Sequence, residues 1–231
     1  MPHPNAVTLD LWDTLITEVP RKNPGLRKYR MTQMQNELKE FGFNYDLPII
    51  ERAYAQSERF CDEVWSINRV MLSCIDSGLP GELNTDALNG LRKSYSEAII
   101  QMPPVLLPHS KEVLKHLSDK GYKIGLISNT GRTPGSVLRR LLDQMRIASY
   151  FDFMTFSNEI LVRKPEKQIF MHAIRGLKTL PRLSIHIGDD PKADYQGARN
   201  AGMNALLIDR SRKGGRTDDV IGSLEELLDR L

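Results

Sequence analysis

Four polar clusters far apart in the chain carry residue types that could act together on an anionic substrate: Asp10 to Thr14, Ser128-Asn129, Lys164, and Asp189-Asp190 with Asp194. Asp10 offers a carboxylate suited to in-line attack on phosphorus or on an activated carbon, giving a covalent ester that water then resolves. Ser128 and the backbone amide of Asn129 could hold the oxygens that gain charge in the transition state. Lys164 could neutralise both the nucleophile and an anionic group of the substrate. Asp189, with Asp10, could bind Mg²⁺ through oxygen, while Asp190 or Asp194 holds the ion directly or orients the groups that do. Crowding Asp10, Asp189, Asp190 and Asp194 into one crevice would raise their pKa values by mutual repulsion, a conflict that a divalent cation resolves. Each cluster alone has a plainer reading. Asp10 could simply start a turn, Lys164 could be a surface lysine before Pro165, and Asp190 before Pro191 could cap a helix. Their order along the chain and their placement favour chemistry.

Those residues need elements to position them. Ala6-Val7-Thr8-Leu9 reads as a buried parallel strand that delivers Asp10 to its C-terminal end. Further strands are expected over Lys123 to Ile127, ending at Ser128-Asn129; Phe151 to Phe156; Leu183 to Ile187, ending at Gly188-Asp189-Asp190-Pro191; and Ala205 to Ile208. Helical spacing fills the intervals: Ser110 to Lys120, a helix starting near Pro134, one carrying Ile169, Phe170, Ala173, Ile174 and Leu177, one over Asp194 to Ala201, and a closing amphipathic helix from Ile221 to Leu231. This alternation predicts an α/β fold, a Rossmann-like doubly wound parallel sheet with right-handed crossovers, whose ligands lie at the C-terminal strand ends. From Leu26 to about Met102 the pattern is purely helical. One helix carries Leu26, Tyr29, Met34, Leu38 and Phe41; a longer one carries Ala53, Phe60, Val64, Ile67, Met71 and Ile75 and stops at Gly78-Leu79-Pro80-Gly81; a third is capped by Asn84 or Thr85. The chain is thus expected to divide into a core, residues 1–17 and 104–231, and an inserted all-helical domain, residues 18–103.

Composition excludes several classes. With 231 residues, 40% hydrophobic and 26% charged, the chain can bury one sizeable core plus an insert. A net charge of +3 is too small to argue for nucleic acid or an anionic membrane as partner. No apolar run approaches the ~20 residues needed to span a bilayer, and Met1-Pro2-His3-Pro4 lacks the regions of a signal peptide, so the cytoplasm is expected. Cys61 and Cys74 both fall in a helical stretch and read as reduced thiols. Arg21, Lys22, Arg27, Lys28 and Arg30 form a solvated face or a guide for an anionic substrate, and Arg132 and Arg163 stand beside motif residues. His109, His116, His172 and His186 share no ligand spacing and read as surface or core residues, and Tyr54, Phe60 and Trp65 read as the core of the insert.

Taken in order, the four clusters resemble the motifs of the haloacid dehalogenase superfamily of hydrolases, and Gly188 to Gly202 is the most specific stretch. The likeness extends to its haloacid dehalogenase-like domain-containing subgroup. The resemblance implies a helical cap over residues 18–103, Mg²⁺ as cofactor, and a small phosphorylated metabolite as substrate. By position it makes Asp10, Ser128 and Lys164 catalytic and puts Trp12, Asp13, Asn129 and Arg132 against the substrate. Asp10, Trp12 through its carbonyl, Asp189, Asp190 and Asp194 would surround the metal. The sequence departs from the family at one place. The superfamily's phosphatases carry a second Asp two positions after the nucleophile, which protonates the leaving group; here that position is Trp12, which has no proton to transfer. General acid catalysis is typically worth ~10²- to 10⁴-fold. Asp13 is a candidate substitute, although one step along an extended strand end reverses a side chain's direction. A metal-independent 2-haloacid dehalogenase, which needs no such acid, and a catalytically impaired interaction protein on the same scaffold are the alternatives.

Overall fold

β-Branched and aliphatic runs make the strands. A computed structural model describes residues 3–18, 25–58, 79, 83–211 and 218–231. Its strands are β1 (Ala6–Leu9), β2 (Ile16–Thr17), β3 (Val105–Leu106), β4 (Lys123–Ser128), β5 (Phe153–Phe156), β6 (Ser184–Gly188), β7 (Asn204–Ile208) and β8 (Val220–Ile221). Six of them form one sheet in the order β5-β4-β1-β6-β7-β8, every neighbouring pair parallel. The chain first builds outward from β1 through β4 to β5, then returns to the other side of β1 for β6, β7 and β8. β1 is therefore where the winding reverses, and such a reversal opens a crevice at the C-terminal strand ends. β1 is buried along its whole length, as expected of a strand covered on both faces.

The chain separates into two compact units. One comprises Met1–Thr17, Val105–Asn129 and Leu142–Leu231; the other comprises Glu18–Pro104 and Thr130–Leu141. The second unit is helical, with α1 (Gly25–Glu40), α2 (Leu47–Glu58) and α3 (Thr85–Gln101). Asn84 caps α3, its side chain accepting from the Ala87 amide at 2.8 Å. Met34, Leu38, Ile50, Tyr54, Leu91 and Tyr95 form the unit's core. Arg30, read from sequence as part of a basic face, is buried: its Nε donates to Tyr95 O at 3.1 Å and its Nη2 to Thr133 Oγ1 at 2.9 Å. That second bond ties the 130–141 segment to the helices. Phe60, Cys61, Val64, Trp65, Ile67, Met71, Cys74 and Ile75, the stop at Gly78 and Pro80-Gly81, and Arg21 and Lys22 lie outside the described residues. Among the described residues no helix is long and apolar enough to cross a membrane.

In the sheet unit, β2 and β3 pair antiparallel, with Ile16 opposite Leu106 and Thr17 opposite Val105. Leu107 N and Ser110 Oγ both donate to Leu15 O at 2.9 Å, so the points where the chain leaves and re-enters this unit are clipped together. The remaining helices are α4 (Ser110–Asp119), α5 (Gly135–Gln144), which crosses the unit boundary, α6 (Ser157–Ile160), α7 (Lys167–Gly176), α8 (Gly197–Asn200) and α9 (Glu225–Leu228).

Two expectations need correction. Val220–Ile221 is not the start of a closing helix but β8, with Leu207 opposite Val220 and Ile208 opposite Ile221; the β-branched pair completes the open edge of β7, and the helix is confined to Glu225–Leu228. Nor is Asp194 to Ala201 one α-helix. Pro191–Gln196 is a wide π turn, in which Asp194 N and Tyr195 N both donate to Asp190 O, at 3.0 and 3.2 Å, and α8 follows it.

Gly197 sits where that turn meets α7. A Cβ there would lie 2.9 Å from the Phe170 ring and 3.0 Å from Pro165 Cα, so only hydrogen fits. Gly197→Ala should cost about 1–3 kcal/mol by overpacking, read as a lower urea midpoint with unchanged slope.

Candidate active site

Register brings the clusters together. Leu9 lies opposite Leu126 of β4 and Ile187 of β6, and the Asp10 amide extends the ladder by donating to Ile187 O at 2.9 Å. Asp10, Ser128 and Asp189 therefore emerge from neighbouring strand ends. Lys164 comes from the loop before α7, and its backbone is fixed from both sides by one side chain. Asn129 Oδ1 accepts from Lys164 N at 2.8 Å, and Asn129 Nδ2 donates to Lys164 O at 3.1 Å. The Asn129 side chain thus holds the Lys164 peptide from both sides. Ser128 is buried, with its hydroxyl 3.3 Å from Asn129 O.

The Lys164 ammonium is buried and shared. Its Nζ donates to Asp10 Oδ1 and, at 2.6 Å, to Asp194 Oδ1. Burial alone would lower the lysine's pKa, but the two carboxylates beside it hold it above its ordinary value. The two acids differ. Asp194 also takes His186 Nε2 at 3.1 Å and the Asp190 amide at 3.1 Å, and against the cost of burial Lys164 and His186 hold it well below the usual carboxylate range. Among the described residues Lys164 is the donor to the Asp10 side chain; burial, opposed by Lys164 but reinforced by Asp194 and Asp189, pushes its pKa up to about 7. Asp189 is half-buried, and burial together with Asp194 and Asp13 raises it to about 6.

Oxygens of Asp10, Asp189 and Asp194 all lie within 4.8 Å of one another. Asp10, Asp189, Asp194 and the nearby Asp13 outnumber the cations beside them, Lys164 and Arg210, and hard oxygen donors at this spacing suit a cation such as Mg²⁺. The residues present therefore fit a divalent ion. Asp190 is exposed and accepts from Lys192 N and Ala193 N, each at 2.7 Å, so its side chain performs the capping role open to it in the sequence.

Gly188 explains why a glycine precedes the acidic pair: a Cβ there would fall 2.2 Å from the Asp194 carboxyl carbon, in the space that carboxylate occupies. His186, read as a surface or core residue, is a core residue that touches the site. A carboxylate only accepts, so His186 Nε2 carries the proton toward Asp194 and Nδ1 accepts from the Thr8 hydroxyl at 2.9 Å. Burial holds this histidine below its ordinary pKa, hence neutral near pH 7. A polar residue inside the apolar run Leu183 to Ile187 was the available signal.

The other named residues are placed as follows. Trp12 is half-buried. Asp13 is exposed, in a left-handed backbone conformation with φ 51°, and accepts from Thr17 Oγ1 at 2.7 Å. Arg132 belongs to the helical unit, where its guanidinium lies 5.9 Å from the Tyr54 ring centre.

Comparison with known proteins places the chain in a family. The pattern of the family described as haloacid dehalogenase-like hydrolase matches residues 75–208. The chain is 30% identical over 156 residues to haloacid dehalogenase-like hydrolase domain-containing protein 3 of Xenopus laevis, covering 67% of this chain and 61% of that one. It is 32% identical over 115 residues to glyceraldehyde 3-phosphate phosphatase of Methanothermobacter thermautotrophicus, 49% of each. The chain thus spans about half to three-fifths of the length of these curated relatives. In fold it resembles the crystal structure of a 2-haloacid dehalogenase from Pseudomonas syringae, with a TM-score of 0.71 and 22% identity over 98% of this chain and 97% of that one. A parallel sheet that sets an aspartate, a lysine and an acidic loop at one strand edge, together with a family pattern covering more than half of the sequence, shows that the chain belongs to the haloacid dehalogenase-like hydrolase family.

Proposed function

We propose that the chain is a Mg²⁺-dependent phosphatase acting on a small phosphorylated metabolite through a covalent intermediate on Asp10. The observation that carries this reading is the grouping of Asp10 and Asp189 with Asp194, carboxylates that outnumber Lys164 and Arg210 once the nearby Asp13 is included. The relative that acts on glyceraldehyde 3-phosphate supports the substrate class. Asp10 attacks phosphorus in line; its new P–O bond forms as the bond to the leaving oxygen breaks, and water then hydrolyses the aspartyl phosphate. Lys164 favours the ionised form of Asp10 against burial and offsets charge on the transferring group, and the Asn129 amide with the Ser128 hydroxyl steadies its oxygens. Mg²⁺, held by Asp10 and Asp189 with the Trp12 carbonyl, would supply charge neutralisation in this anionic pocket. Asp194 holds Lys164 in place. Residues 18–103 take the role of the cap that selects the substrate.

Trp12 shapes this reading. Without a carboxyl at that position the leaving group departs unassisted, which favours substrates whose leaving oxygen is stable as an anion, acyl phosphates among them. It also favours a second reading, a 2-haloacid dehalogenase, because a halide departs without a proton.

Hydrolysis of p-nitrophenyl phosphate separates the two. Turnover should require Mg²⁺ and fall at least about a thousandfold in Asp10→Asn. Halide release from 2-chloropropionate without added metal, with no phosphatase turnover, would establish the dehalogenase instead. Inactivity toward both would leave an interaction protein on a hydrolase scaffold.

Mg²⁺ binding should depend on pH in a fixed direction. The ion must displace protons from Asp10, with a pKa pushed up to about 7, and from Asp189, at about 6, so affinity rises as pH increases through that window and levels off above it. Calorimetric titration should find binding roughly tenfold or more tighter at about pH 8 than at about pH 5.5, with protons released at the lower pH.

A further inference from the structure

The turn that follows the nucleophile is held by a residue outside all four clusters. After Asp10 the backbone folds tightly: Leu15 N and Ile16 N both donate to Leu11 O, at 2.9 and 3.0 Å, and Asp13 N donates to Ile16 O at 2.7 Å. In this fold Asp13 takes φ 51°, a left-handed conformation that few residues other than glycine, asparagine and aspartate adopt. The fold also turns the carbonyls of Asp13 and Thr14 away from the turn's own amides. Among the described residues Arg210 is the donor that meets both, Nη1 to Asp13 O and Nη2 to Thr14 O at 2.8 Å.

Arg210 lies two residues beyond the end of β7, whereas the turn lies just beyond β1, and β6 runs between those strands. The guanidinium therefore reaches past the end of β6, where Asp189 sits. It lines a pocket of about 380 Å³ with Asp13, Asp189, Pro191, Leu107 and Leu207, and the carboxylates of Asp189 and Asp13 are the charges that act on it. Trp12 stands within this turn, at the position from which the family's phosphatases present their second acid.

We infer that Arg210 is a positioning residue: its forked guanidinium, bonded to two successive carbonyls, fixes the backbone of the Trp12–Thr14 turn, and through it the groups that this turn presents beside Asp10. A planar fork with two parallel donors suits this task, and the point charge of a lysine does not reproduce it. Small displacements of positioning groups cost much in rate, on the order of 10²-fold for an ångström. The kinetic part of this inference rests on the phosphatase reading. The structural part does not.

The test uses the full chain with Trp65→Phe, which leaves Trp12 as the single tryptophan. Arg210→Met should increase acrylamide quenching of Trp12 about twofold, as the turn loses its two carbonyl bonds. In p-nitrophenyl phosphate hydrolysis the same change should lower kcat roughly 10- to 100-fold with KM within about twofold. Arg210→Lys should resemble Arg210→Met. Native quenching in Arg210→Met overturns the inference, as does native quenching and turnover in Arg210→Lys, since charge alone would then suffice. If the native protein shows no phosphatase turnover, the phosphatase reading fails while the quenching comparison still decides the clamp.

Discussion

One ammonium shared between two buried carboxylates organises this molecule's chemistry. Taking Lys164, Asp10 and Asp194 out of water is costly, and the cost is offset only because the three sit within hydrogen-bond reach of one another. Such an arrangement tolerates little slack, because removing one partner from a buried ion pair typically costs ~3–5 kcal/mol. Much of the surrounding structure can be read as restraint on these three groups. Parallel register fixes Asp10, the Asn129 side chain grips the Lys164 peptide, and Gly188, His186 and the Asp190 amide fix Asp194.

The same ammonium leaves its two partners in different states. Among the described residues Asp194 collects three donors and is held well below the usual carboxylate range, whereas Asp10 has one and its pKa is pushed up to about 7. Asp10, the carboxylate proposed to attack, is the less satisfied of the two. This asymmetry follows from geometry: Asp194 rises from the π turn onto the bare Cα of Gly188, within reach of β6 and Lys164 together, while Asp10, at the end of β1, is reached by Lys164. With Lys164 on one of its two oxygens, Asp10 keeps lone pairs on the other for attack, as the proposed mechanism requires.

The sequence carried much of this. Apolar runs ending on Asp10, Ser128 and Gly188-Asp189 announced both the strands and the edge on which their last residues meet, because burial on both faces leaves an unmistakable aliphatic signature. It did not carry the partner of a long-range hydrogen bond. The sequence assigned a role to the backbone amide of Asn129 but none to its side chain, which matches the peptide of Lys164, thirty-five positions away. His186 and Arg210 were missed for the same reason: neither belongs to a motif, and each gains its role only when the topology puts β6 and β7 beside β1. Val220–Ile221 shows the opposite failure. Two β-branched residues beside an amphipathic stretch carry too little pattern to be separated from a helix, and the unpaired edge of β7 decides their state.

The short β2–β3 ribbon has a consequence for how this architecture can change. By clipping Leu15 to Leu107 and Ser110, it makes the departure and return of the 18–104 stretch a closed gate one strand spacing wide. The entropy of closing so long a loop grows only with the logarithm of its length, so the sheet is nearly indifferent to how many residues pass through the gate. Segments of quite different size could be exchanged there without disturbing the strand edge that bears Asp10. The constraint on such exchange lies elsewhere, in the Arg30–Thr133 bond, because any replacement must also supply a partner for the 130–141 segment.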